Sequence, residues 1–231
     1  MKYFWINLDS AVERRSNMLK QFEENEIIDH FRVSAYPSPV HTKRMYENAC
    51  CRSHLQAICH FLLDTNDEYA LICEDDLTFE LKKYWRNRSI DDVVKKAPSD
   101  WGIIQLATII QNIDSKFGSR DEFFKWGDQK SSSCLAYVIH RKCAIKLVDI
   151  YFSQQNVYQA ATPDCWSSGI YQQIDKNTDY FTYTYKYPLF VYPDVNDSQL
   201  GNSIDLHKAC KRQLVEYLFK SQPVESDNNL V

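Results

Sequence analysis

The sequence predicts a single α/β domain with a mostly parallel central sheet flanked by helices. Short apolar runs of strand length alternate along the chain with amphipathic stretches of helical period. The run from Tyr69 to Cys73 is apolar without alternation, which is typical of a strand covered on both faces. The 231 residues suit one such domain, and they contain no internal repeat or interdomain linker.

The first elements predict a nucleotide-binding α/β unit. Lys2 to Leu8 is the first strand, and Ser10 and Glu13 are spaced as a capping box for an amphipathic helix over 11–24. A strand, a tight turn and a capped helix open such units. Because the turn has no glycine fingerprint, it is not the dinucleotide-binding version.

The remaining elements follow in order. The further predicted strands are 31–35, 69–73, 101–107, 133–139 and 180–192, and the further helices are 46–63, 81–96, 141–152 and 205–220. Another helix begins at Thr162-Pro163-Asp164, whereas the polar stretch 111–132 is predicted to be a surface or active-site loop. We assign 3–220 to the one domain and 221–231 to a mobile tail.

Composition and charge narrow the protein class and its partners. Hydrophobic residues make up 44% of the chain and aromatic residues 14%, as in globular proteins. The formal net charge is −4, so we expect no nucleic-acid partner. An acidic chain can still bind a phosphate-bearing ligand, because a bound cation inverts the local field.

We expect a cytoplasmic protein without a transmembrane segment. The amino terminus lacks the long apolar region and cleavage site of a signal peptide, and no stretch has the roughly 18 apolar residues of a membrane span. The 8 cysteines form no CxxC pair, so we expect reduced thiols rather than disulfides or a zinc site.

Three consecutive carboxylates, Glu74, Asp75 and Asp76, end the central apolar run. Ligands of open α/β sheets bind at the carboxyl ends of strands. Neighbouring acids repel each other unless a positive charge lies between them, and Mg²⁺ or Mn²⁺ is the usual solution because it prefers oxygen ligands. In a regular strand Glu74 and Asp76 point to the same side, which makes them the predicted metal ligands. The alternative is a solvated acidic turn.

Ordered blocks within residues 3–205 extend this prediction. They are Ile6-Asn7-Leu8-Asp9 with Glu13-Arg14, Glu47 to His54, Glu74-Asp75-Asp76, Asp100-Trp101 with Leu106, Ala136-Tyr137-Val138 with Ala144, and Pro163-Asp164. The set resembles glycosyltransferase family 25, which includes bacterial lipooligosaccharide galactosyltransferases and procollagen galactosyltransferases. The chain departs from the family pattern at Asn48, where the family usually has glycine, and between Pro188 and Ser203.

The resemblance implies a GT-A (Rossmann-like) fold that uses a UDP-sugar and Mn²⁺ or Mg²⁺. It places the donor beside a set of residues at the first turn, the second long helix and the acids, namely Asn7, Leu8, Arg14, Ser53, His54 and Asp75. Arginine suits this role because it makes bidentate bonds to phosphate. For Arg14 the alternative is a solvated helix charge, and for His54 it is a hydrogen-bonded core residue.

The family acts with inversion, which needs a base at the acceptor, and Asp164 is the candidate. Its alternative role is to stabilise a helix start. The candidates for a third metal ligand come from late in the chain and are Asp194, Asp197 and His207.

The implied function is an inverting, metal-dependent hexosyltransferase. It would move galactose or glucose from a UDP-sugar to a hydroxyl of a glycan or of a collagen-like chain, where hydroxylysine or galactosyl-hydroxylysine would accept it. Two alternatives stay open: a sugar-nucleotide- or glycan-binding protein without catalysis, and a metal-dependent phosphohydrolase.

Overall fold

A computed structural model describes residues 1–85, 88–109, 121–126, 133–152, 169–193 and 204–220. The strands are β1 (Tyr3–Asn7), β2 (His30–Ser34), β3 (Tyr69–Glu74), β4 (Trp101–Gln105), β5 (Phe123–Lys125), β6 (Ala136–His140) and β7 (Phe181–Tyr185). The helices are α1 (Val12–Glu24), α2 (Lys43–Asp64), α3 (Ile90–Lys96), α4 (Arg141–Phe152), α5 (Gly169–Asn177) and α6 (Ile204–Lys220).

The strands form one seven-stranded sheet in the order β2-β1-β3-β6-β4-β7-β5. β1 pairs in parallel with β2 and β3, and β4 pairs in parallel with β7. β6 lies antiparallel between β3 and β4, and β5 lies antiparallel at the edge beside β7. All strands except β5 and β6 therefore run in one direction, which confirms the predicted α/β fold with a mostly parallel sheet.

Both faces of the sheet are buried, as the unbroken apolar run of β3 predicts. Ala70 and Ile72 pack into one hydrophobic cluster together with residues of α2, α4 and α5. Leu71 and Cys73 pack into a second cluster together with residues of α1 and α3. Side chains alternate between the two faces because successive residues of a strand point in opposite directions.

Some predicted boundaries are wrong for local reasons. The cap of α1 is Ala11, which makes no side-chain capping bond, and the backbone of Ser10 accepts from Val12 instead of starting the helix. The predicted helix 81–96 is a 3₁₀ turn at Lys82–Tyr84 followed by the short α3. Ser89 caps α3 with a capping box that we did not assign.

The cysteine prediction is only partly confirmed. Among the described residues, six cysteines form no disulfide, namely Cys50, Cys59, Cys73, Cys134, Cys143 and Cys210. Cys51 is disulfide-bonded, so the prediction of reduced thiols is wrong at that position.

Among the described residues, no helix is both long and apolar enough to cross a membrane. The predicted tail 221–231 and the predicted helix start at 162–164 lie outside the described residues.

Candidate functional site

The three acids lie at the carboxyl edge of the sheet because β3 ends there. Glu74 is the last residue of β3, and Asp75 and Asp76 form the turn that follows. β1 runs parallel to β3 with Ile6 opposite Glu74, so Asn7 meets Asp75 at the same edge. The Asn7 side chain donates a hydrogen bond from Nδ2 to Oδ2 of Asp75 at 2.5 Å.

Arg14, on the first helix after β1, is the cationic partner of the acids. Its Nη2 donates to Oδ1 of Asp75 and lies 3.4 Å from Oδ2 of Asp76. The Arg14 side chain is only 21% exposed and that of Asp75 only 6%, so this ion pair is largely desolvated. The alternative of a solvated helix charge is therefore wrong for Arg14.

Two atoms of this cluster are buried without a hydrogen-bond partner among the described residues: Nε of Arg14 and Oδ1 of Asp76. Burial, followed by the charge of Glu74, raises the pKa of Asp76 to about 7. Burial also raises the pKa of Asp75, even though Arg14 opposes that shift. Desolvated carboxylates of this kind favour a bound cation.

Glu74 contacts α2. Its Oε1 lies 3.1 Å from Nε2 of His54 and 3.8 Å from Sγ of Cys50, and Nδ1 of His54 lies 3.2 Å from the hydroxyl of Tyr137. Burial alone would raise the pKa of Glu74, but the hydrogen bond and charge of His54 bring it below its usual value. His54 is fully buried, so it belongs both to the core and to the acid cluster.

Glu74 and Asp76 thus contact different neighbours. Glu74 contacts α2, while Asp76 lies against Arg14 of α1. We expected both on one side because of strand alternation, but β3 ends at Glu74 and the backbone turns after it. Their joint role as metal ligands stays a prediction.

Two further arginines, which the sequence analysis did not assign, lie at the same edge. Nε of Arg15 and Nε of Arg32 both donate to Oδ1 of Asn7, at 3.1 and 2.9 Å. Arg32 also pairs with Asp9, and that hydrogen bond lowers the pKa of Asp9. Arginines suit the charge and shape of phosphate oxygens. Arg32 lies in the middle of β2, and the sequence alone carries no signal that its side chain reaches this edge.

Ser53 and Leu8, the other predicted donor-binding residues, make hydrogen bonds with backbone groups. Ser53 Oγ donates to the carbonyl of Ala49 at 2.8 Å and accepts from the backbone N–H of Tyr36 at 2.9 Å. The carbonyl of Leu8 accepts from the N–H of Ala11 at 3.0 Å in the turn before α1. Both residues therefore shape the elements around the acids, and neither side chain is seen to contact them.

Of the remaining candidates, Asp164, Asp194 and Asp197 lie outside the described residues. His207 is described, and its ring packs against that of Tyr192 with centroids 4.8 Å apart.

Ser133 brings a strained backbone to this region. Its φ is 124°, an unfavourable value for any residue with a side chain, and such strain is often retained at functional sites. Oγ of Ser133 lies 3.0 Å from the hydroxyl of Tyr192. Burial, and then the charges of Glu74 and Asp76, raise the pKa of Tyr192.

The carboxylate oxygens of this cluster are suitable ligands for a divalent cation. Asp76 offers a buried carboxylate oxygen that lacks a partner among the described residues, and the neighbouring carboxylates supply further oxygen ligands of the kind that Mg²⁺ and Mn²⁺ prefer. Arg14 and Asn7 already partner Asp75, so Asp75 is the least available of the three.

Solved structures, but no family model or curated protein, resemble this chain. A crystal structure of a glycosyltransferase involved in the glycosylation of the major capsid of PBCV-1 is similar, with a TM-score of 0.40 and 9% sequence identity, over 91% of this chain and 98% of that one.

Proposed function

We propose that this chain is an inverting, metal-dependent hexosyltransferase that uses a UDP-sugar as donor. One observation carries the proposal: within one cluster, Nε of Arg14 is a buried donor and Oδ1 of Asp76 a buried acceptor, and neither has a hydrogen-bond partner in the part of the chain that the structure describes. A divalent cation would satisfy Asp76, and a phosphate oxygen would satisfy Arg14. A nucleoside diphosphate with its cation brings both groups together.

In this proposal Asp76 and Glu74 hold Mn²⁺ or Mg²⁺, and Asp75 keeps Asn7 and Arg14 in place beside them. The cation stabilises the charge of the leaving diphosphate. Arg14 attracts and orients the diphosphate. Arg15 and Arg32, which both donate hydrogen bonds to Asn7, add positive charge at the same edge of the sheet.

Asp164 is the proposed base that removes the proton from the acceptor hydroxyl. Inversion requires this base on the face of the sugar opposite the leaving group. The proposed acceptor is a hydroxyl of a glycan or of a collagen-like peptide, the latter through hydroxylysine or galactosyl-hydroxylysine.

The test is a panel of UDP-sugars with Mn²⁺, in which UDP release is followed with and without glycan or collagen-like peptide. We expect one UDP-hexose to be turned over faster with acceptor than without. Asp76→Asn should abolish the Mn²⁺-dependent release of UDP while the variant stays folded. Mn²⁺-dependent binding of UDP-sugars without turnover would instead indicate a binding protein, and phosphate release from simple esters a phosphohydrolase.

A further inference from the structure

Three side chains of different chemistry converge beside the acids, on the face of α2 that meets the end of β3. One ligand atom each from Cys50, His54 and Glu74 lies within 4.8 Å of the other two. Cys50 and His54 are four residues apart on α2, which places them on the same face of the helix. We propose that these three residues form a binding site for a borderline divalent transition metal, with Zn²⁺ as the natural occupant.

The distances are close to those of a tetrahedral zinc site. With ordinary Zn–N, Zn–O and Zn–S bond lengths, neighbouring ligand atoms are separated by about 3.3 Å for nitrogen and oxygen and about 3.6 Å for sulfur and oxygen. The corresponding separations here are 3.1 Å, from Nε2 of His54 to Oε1 of Glu74, and 3.8 Å, from Sγ of Cys50 to the same oxygen. The third separation, between the ligand atoms of Cys50 and His54, is within 4.8 Å, so closing the site onto an ion needs shifts of about 1 Å.

The surroundings of His54 support a ligand role. Its other ring nitrogen, Nδ1, lies 3.2 Å from the hydroxyl of the buried Tyr137. In the metal-bound form Nδ1–H would donate to Tyr137, and the lone pair of Nε2 would bind the metal in place of the contact between Nε2 and Glu74. A histidine ligand usually has such a partner on its second nitrogen, which fixes the ring and the tautomer.

Charge and access favour a divalent ion as well. A thiolate, a neutral imidazole and a carboxylate carry two negative charges together, which one divalent cation neutralises. Cys50 and Glu74 are only half-buried and His54 is fully buried, so the part of the chain that the structure describes leaves Cys50 and Glu74 partly accessible. Three protein ligands and an open fourth position are the arrangement of catalytic rather than structural zinc sites.

This site differs from the proposed diphosphate site in ligand type. Sulfur and imidazole ligands select zinc-like ions over Mg²⁺ and Mn²⁺, which prefer oxygen. Glu74 is the residue common to both proposals, and Asp76 belongs only to the diphosphate site. The two sites can therefore be tested independently.

The experiment uses Co²⁺ as a spectroscopic substitute for Zn²⁺ on the metal-free full-length chain. We expect one equivalent of Co²⁺ to give a thiolate-to-cobalt charge-transfer band that Zn²⁺ then displaces. Cys50→Ser should lose the band. Cys59→Ser is the matched control, because Cys59 is a half-buried free thiol of the same helix outside the cluster, and it should keep the band.

Asp76→Asn should also keep the band, which separates this site from the metal required for sugar transfer. Zn²⁺ should raise the melting temperature of the wild type and of Cys59→Ser but not of Cys50→Ser. No band in the wild type, or a band retained by Cys50→Ser, would overturn the proposal. In that case Cys50, His54, Glu74 and Tyr137 form a hydrogen-bond network and no metal site. Failure of UDP-sugar turnover would leave the cobalt result unaffected.

Discussion

Nη2 of Arg14 lies 3.4 Å from Oδ2 of Asp76, yet Nε of the arginine and Oδ1 of the aspartate are buried without hydrogen-bond partners among the described residues. The two side chains therefore neutralise each other only in part. Each keeps a polar atom that a ligand of opposite charge can satisfy.

Asp76→Asn should change the response of the protein to Mn²⁺ and its stability. Without metal, we expect the variant to be more stable than the wild type at pH 8 by about 2 kcal/mol, because it removes a buried carboxylate whose pKa burial raises to about 7. Saturating Mn²⁺ should raise the melting temperature of the wild type but not of the variant. Calorimetry with and without Mn²⁺ measures both effects, and an equal response of both proteins to Mn²⁺ would contradict the metal assignment.

Arg14→Met should destabilise the metal-free protein by about 3 kcal/mol, because it leaves the desolvated Asp75 without its cation. It should also weaken the binding of UDP, since the proposed phosphate contact is lost. Chemical denaturation and UDP titration are the measurements. Lys20→Met is the matched control on the same helix, where the exposed pair with Glu24 contributes at most about 0.5 kcal/mol. Equal losses in both variants would show that the Arg14 contacts are unimportant.

His30 should make stability depend on pH below neutrality. Its ring stacks on Phe22 with centroids 4.6 Å apart, and burial lowers its pKa. The unfolded chain therefore binds more protons than the folded chain near pH 6, so the free energy of unfolding rises with pH up to the ordinary histidine pKa of about 6.5 and then levels off. We expect His30→Phe to lose less stability than the wild type between pH 7.5 and 5.5. Parallel urea titrations at the two pH values test this, and identical losses would exclude His30 as a source of the dependence.

Arg141→Ala should destabilise the fold without changing metal binding. The guanidinium donates to the backbone carbonyls of Phe61, Leu62, Thr65 and Asp67 and stacks on the Phe61 ring, thereby closing the carboxyl end of α2. Losing these charge-assisted bonds should cost about 3 kcal/mol. The neighbouring exposed Lys142→Ala should cost less than about 0.5 kcal/mol. The melting temperatures of the two variants check this, and a stable Arg141→Ala would contradict it.

Periodicity predicted most of the fold. The apolar run of β3 and the helical patterns of α1, α2 and α4 place those elements within a few residues of their observed bounds. The direction of β6 and the three-residue strand β5 could not be predicted, because strand direction depends on tertiary pairing and a strand this short has no periodic signal.

The site was predicted in part. The run of acids and the block around Arg14 identified residues that the fold brings together. Strand alternation predicts the side on which Glu74 lies, since Ala70 and Ile72 of β3 also pack with α2. The side of Asp76 was not predictable, because β3 ends at Glu74 and the backbone turns after it. Cys50 was not assigned a role for a related reason. A single cysteine on a helix has no local signal until the end of β3 brings Glu74 against it.

The antiparallel course of β6 has an evolutionary consequence. Because β6 runs against β3, the residues that lead into it, Ser133 to Leu135, lie beside the acids, with the N–H of Glu74 bonded to the carbonyl of Leu135. Insertions or exchanges just upstream of β6 can therefore diversify what meets the carboxylates while every ladder of the sheet keeps its register. Related chains could by this route change what binds beside the carboxylates without altering the sheet.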